Sequence, residues 1–183
     1  MGKFIFGLII GLIIIPIFVW CWLSVGHPPV AVSDPSFPFE KQIVHVPLNN
    51  RVHAEMPKSS PIQPTPEDLL AGAQIYREQC AACHGLSGHP SDFAGHMYPT
   101  APQLWNKHRN GVVGVSDDPV GETYWKVDNG IRLTGMPSFR KVLSSTQMWQ
   151  VSWLLKQADQ PLPQDVQQLV QRPLQESTPN PVR

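Results

Sequence analysis

The regular elements that the sequence predicts are helices, and three observations carry this reading. Phe4 to Trp22 is one apolar run without a charge. The stretches Leu69–Cys80 and Met148–Leu155 place their larger apolar side chains at helical spacing. Cys80-Ala81-Ala82-Cys83-His84 puts two thiols one helical turn apart, with a histidine directly after the second. No strand–helix–strand alternation is visible.

Composition narrows the class of partner. The 183 residues fit one modest domain with extensions. Lys and Arg together equal Asp and Glu at 14 each, so the formal net charge is zero. That balance argues against nucleic acid and gives no long-range electrostatic steering. Proline is abundant, at 20 residues, but unevenly spread, and its distribution marks the segments.

Residues 1–23 read as a membrane anchor. The apolar run is about 19 residues, or roughly 28 Å of helix, close to one hydrocarbon thickness. It ends in Trp20-Cys21-Trp22 rather than in small residues, which favours an uncleaved anchor over a signal peptide. An acylated Cys21 fits poorly beside the bulky Trp20. Lys3 is the only charge before the run, so the N-terminus is expected inside and the remainder on the periplasmic or outer side of the cytoplasmic (inner) membrane. Gly7 and Gly11 form a G-x-x-x-G pair that can bring two helices together.

Residues 24–65 read as a proline-rich extended linker, because prolines from Pro28 to Pro64 disfavour regular helix. Phe37, Phe39, Ile43, Val44, Val46, Leu48 and Val52 are too apolar for a purely solvated tether, so this stretch is expected to lie over the following domain or a partner. His45 and His53 read as surface groups.

Residues 66–160 read as the main domain. Thr65 is an N-cap, Pro66 suits the first helical position, and Glu67 and Asp68 suit the positive end of the dipole. Gly72, Tyr76 and Cys80 then share one face. A second helix, Glu122 to Asn129, closes at Asn129-Gly130. Ser145 or Thr146 can cap a third, whose Trp149 and Trp153 share a face and are expected to meet Gly72 and Tyr76. Residues 161–183 form a tail in which Gln164 to Gln171 can make a short helix presenting Val166, Leu169 and Val170.

Chemistry concentrates at residues 80–84. C-x-x-C-H is the attachment pattern for c-type haem. Each thiol can form a thioether to a porphyrin vinyl group, and His84 can supply the proximal nitrogen. A structural zinc site wants four ligands, and a redox C-x-x-C wants a βαβ frame; neither is evident. A plain disulfide remains the simplest alternative. Met136, between Gly135 and Pro137, is poorly explained as core filling and offers a soft sulfur that suits haem iron. Met97, His89, His96, His108 and Met148 are its rivals as distal ligand.

These residues resemble class I c-type cytochromes over about half of the chain, through C-A-A-C-H at 80–84, N-G-I-R-L-T-G-M-P-S-F at 129–139 and the helix with Trp149 and Trp153. The resemblance implies an all-α fold, one covalently bound haem c on Cys80 and Cys83, and His84 and Met136 as axial ligands. It places Pro102 so that its carbonyl orients His84, and Leu104 over the ring. Trp105, Arg132 and Trp125 are candidates to contact the haem propionates or edge.

With both axial positions filled by protein, such a haem passes single electrons, and the chain reads as a carrier rather than an enzyme. The expected function is a membrane-anchored monohaem cytochrome c that moves electrons between redox proteins. Two alternatives stand beside it: a fixed haem subunit of a respiratory or photosynthetic complex, and a haem-based ligand sensor with a labile Met136.

Overall fold

The computed structural model describes residues 1–108 and 110–174, and among these the regular elements are helical. The chain divides into two units, Met1–Lys41 and Gln42–Arg183.

The first unit is built on α1, Gly2–Val25, which contains Pro16 and buries none of its residues. It is long and apolar enough to cross a membrane by length and composition, and a signal sequence meets the same description. Near its C-terminal end, the Trp22 ring packs against that of Phe37 at 5.9 Å. The Asp34 carboxylate accepts from the Val30 and Ala31 amides, both at 2.8 Å.

Helix α2, Glu40–Glu55, corrects the expectation of an extended linker. The physical reason lies in where the prolines fall. They crowd 28–38 and 57–66, and between Phe39 and Met56 only Pro47 interrupts the chain. One proline removes one backbone donor and bends a helix without necessarily ending it. The Glu40 carboxylate also accepts from the Phe37 amide at 2.8 Å, tying down the entry turn. Later in α2, Val52 is buried and Arg51 pairs with Glu55 at 2.9 Å. His45 and His53 are exposed, as expected.

In the second unit, α3 (Pro66–Gln79) starts as the sequence implies, with the Thr65 hydroxyl accepting from the Asp68 amide at 3.2 Å. It packs against α6, Ser145–Lys156, with Tyr76, Val151 and Leu154 fully buried between and around them. Gly72 lies against the backbone at Gln150, where a Cβ would collide with the carbonyl oxygen. The expected pairing of Gly72 and Tyr76 with two tryptophans is therefore corrected. Val151 and Leu154 line the buried face, and the tryptophans, on the other side of the helix, find different partners. Trp149 stacks on Tyr124 of α5 (Val120–Asn129) at 4.1 Å, and Trp153 donates to Ser60 Oγ at 3.0 Å. The cap of α6 is Ser144, in a reciprocal box with Gln147, rather than Ser145 or Thr146.

The short α7, Gln164–Gln171, forms as expected and buries Val166 and Val170 in the same core. Arg77 of α3 closes its C-terminal end, donating to the Leu169 carbonyl at 2.7 Å and to those of Arg172 and Pro173. Such terminal carbonyls have no partner within their own helix. The part of the tail beyond Leu174 lies outside the described residues.

Candidate functional site

Helix α3 ends at Cys80, and α4, Ala81–His84, begins there as a single turn. The Cys83 and His84 amides both donate to the Cys80 carbonyl, at 3.1 and 2.9 Å. Gly85 ends the turn with φ +69°, a conformation that favours glycine. Cys80 and Cys83 are free thiols, so the disulfide alternative is not adopted. Burial, and secondarily the neighbouring Cys83, pushes the Cys80 thiol up to about 12.

His84 is the best-defined group of the turn. Its Nδ1 lies 2.8 Å from the carbonyl oxygen of Pro102. A carbonyl only accepts, so Nδ1 carries the proton and the Nε2 lone pair is left free. Burial lowers the imidazole's pKa, outweighing the opposing pull of the Pro102 carbonyl, and so favours this neutral form. Leu104 is buried in the core, and its amide donates to the His84 carbonyl at 3.2 Å. The structure thus brings Cys80, Cys83, His84, Pro102 and Leu104 into one constellation.

Met136 is partly buried against the same core cluster as Cys80. Its loop is closed on itself. The Ile131 amide donates to the Met136 carbonyl at 3.2 Å. The Thr134 hydroxyl donates to the Ile131 carbonyl at 2.7 Å and accepts from the Met136 amide at 3.1 Å. Leu133 sits at φ +62°, a costly conformation for leucine, between these two ties. At the base, Arg140 makes a two-pronged contact with Asp128, at 2.9 and 2.6 Å.

The rivals of Met136 fall out differently. Met148 is core, and His108 is occupied by the Gly114 carbonyl at 3.1 Å. His89 and His96 are exposed. Met97 does reach the loop: its methyl group packs on Gly135. The three expected edge contacts are also sorted. Trp125 donates to Glu55 Oε2 at 3.1 Å, away from the turn. Trp105 packs edge-on against Tyr76 at 5.7 Å, with its buried Nε1 unpartnered. Arg132 is exposed.

Several supporting groups had no clear signal in the sequence. Tyr76 reads there as packing, yet its hydroxyl donates to the Gly85 carbonyl at 2.8 Å. Gln103 and Ser91 lie in loops with no periodicity, and both bind the turn. Thr134 was visible in T-G-M-P, but its hydroxyl bridge depends on the loop conformation.

A family model described as cytochrome c oxidase, cbb3-type, subunit III matches residues 67–153. Residues 67–153 are a c-type cytochrome domain. The fold is all-α, and such a domain implies covalently bound haem c and a role in electron transfer. The donor set of this domain fits haem c: two free thiols at the required spacing and a neutral imidazole with one ring nitrogen unengaged. Among curated proteins no relative matches. A solved chain described as the Kuenenia stuttgartiensis reducing HAO-like protein complex Kustc0457/Kustc0458 is similar at 24% identity with a TM-score of 0.46. That likeness covers 55% of this chain and 47% of the other, so the chain spans less than half of that structure's length.

Proposed function

We propose that the protein is a membrane-anchored monohaem cytochrome c that carries single electrons between redox proteins at the outer face of the cytoplasmic membrane. Cys80 and Cys83 would hold the haem by thioethers, with His84 and Met136 as axial ligands. The observation that carries this reading is the His84–Pro102 hydrogen bond at 2.8 Å, which fixes the tautomer a metal-bound histidine needs. Bound haem supplies a one-electron iron couple. The chain's own residues orient the imidazole, hold the sulfur-bearing loop and bury the attachment turn. The anchoring role is supported by α1, which would confine diffusion to the membrane plane and raise effective concentration at a partner.

The test is retention of haem after denaturation. The purified protein should keep one haem per chain through acid–acetone extraction. The double variant C80A/C83A should lose it, and a wild type that releases its haem would end the assignment.

The second reading is a fixed haem subunit, which the description of the matching family model favours because it names an oxidase subunit. Mild detergent extraction separates the two. Stable copurification with other haem or copper subunits supports the fixed subunit, and a free monomer supports the carrier.

A further inference from the structure

The carbonyls that close the attachment turn are bound from outside it. Ser91 Oγ donates to the Ala82 carbonyl, Gln103 Nε2 to that of Cys83 at 3.1 Å, the Leu104 amide to that of His84, and Tyr76 to that of Gly85. A single-turn helix leaves these oxygens without internal partners, so some such web is required. Gln103 does more than fill one place in it.

Its side chain joins three segments. Nε2 also donates to the Ala101 carbonyl at 3.2 Å, and Oε1 accepts from the Ser91 amide at 2.7 Å. The amide lies directly over Gly85, where a Cβ would collide with Gln103 Oε1. Gln103 is the residue after Pro102, whose carbonyl holds the His84 ring. Its bonds to Ala101 and Cys83 bracket the Pro102 peptide on one side and the histidine on the other. Apart from the Leu104 amide on the His84 carbonyl, no other described backbone bond ties residues 101–104 to the turn.

We propose that Gln103 is a positioning residue that holds the Pro102 carbonyl on the His84 imidazole and so sets how strongly that ring donates to the haem iron. The proposal rests on the haem assignment above. A carbonyl on the ring N–H remote from the metal raises the basicity of a metal-bound histidine and fixes its orientation. Hydrogen bonds weaken steeply with misalignment, so a small displacement of residues 101–103 suffices.

The test uses the haem-loaded chain. Q103L keeps bulk and removes all three bonds. Q103E keeps the shape and the Ser91 contact but replaces the donor by a carboxylate. S60A is the comparison, since it likewise removes three side-chain bonds, one with Trp153 and two with the Ile62 backbone, in a different part of the domain. Two quantities are read in the reduced and oxidised proteins: exchange of the His84 Nδ1 proton, and the midpoint potential. Both Gln103 variants should exchange that proton about tenfold faster or more, as expected for loss of roughly one ordinary hydrogen bond. Q103L should shift the potential upward, because a less basic imidazole stabilises the ferric state less; Q103E should lie below Q103L, because its carboxylate favours the ferric state. S60A should change neither.

Unchanged proton exchange in both variants, or an unchanged potential in Q103L, with haem attached, would overturn the proposal. So would failure of Q103E to retain haem while S60A does, since the side chain would then be a requirement of folding and not of tuning. A wild type without covalent haem would instead sink the underlying assignment, and acid–acetone extraction distinguishes that case.

Discussion

Trp125 Nε1 donates to Glu55 Oε2 at 3.1 Å, joining the middle of α5 to the last residue of α2. The bond spans 70 residues of sequence, between a segment that reads as tether and one that reads as domain. Pro57 continues the contact, with its carbonyl against Gly121, and Ser60 completes it by accepting from Trp153. The end of α2 and the strap after it are thus held on the haem domain at three points.

The Trp125 contact lowers the pKa of Glu55, with Arg51 adding to the effect. A carboxylate held below its ordinary value of 4.5 contributes stability that is present above that value and lost as pH falls through the lowered one. Amide exchange in α2, corrected for intrinsic rates, should therefore accelerate below about pH 4.5 and stay slow at neutral pH. E55A should show the acidic behaviour already at pH 7. Equal protection of α2 in E55A and wild type would mean that Val52 and the Pro57 and Ser60 contacts hold the helix without Glu55.

Gly72 is a close-approach position. In G72A the new methyl meets the Gln150 carbonyl oxygen and Val151 amide, both backbone and unable to turn aside. The variant should lose about 1–3 kcal/mol in chemical denaturation. A loss under a few tenths would show that α3 and α6 can separate at little cost.

Arg77 is expected to anchor α7. In R77M, three carbonyl contacts are lost while the aliphatic stem is kept. Limited proteolysis should cut within 164–174 sooner, and stability should fall by about 1–2 kcal/mol. Wild-type resistance in the variant would leave Val166 and Val170 as sufficient anchors.

Thr134 holds the sulfur-bearing loop by one hydroxyl with two partners. T134V keeps the shape and leaves the Met136 amide without its acceptor. The loss should be about 1–3 kcal/mol, and methionine ligation should fail at a lower denaturant concentration than in wild type. An unchanged midpoint would assign the loop's closure to the Ile131–Met136 backbone bond alone.

Local signals carried much of this architecture. Thr65-Pro66-Glu67 announces α3, Asn129-Gly130 ends α5, and C-A-A-C-H names its own chemistry, because each depends on neighbours in sequence. Pro102 came only through resemblance, and its carbonyl stands 2.8 Å from a histidine 18 residues earlier. Helix α2 was hidden by prolines that flank it rather than break it, and by a buried face that reduces to Val52. The tryptophans of α6 were misdirected for a different reason. Their shared face is real, but whether it meets α3, α5 or the strap is decided by tertiary packing. Gln103 and Ser91 are polar loop residues whose roles arise only when the loops fold back on the turn.

The most direct test of the central claim is the weak far-red charge-transfer band of methionine-ligated ferric haem. The wild type should show it. M136A should lose it, and M97A should keep it although its methyl group packs beside the loop at Gly135. Survival of the band in M136A, or its absence from the wild type, would contradict His84–Met136 ligation and the electron-carrier account built on it.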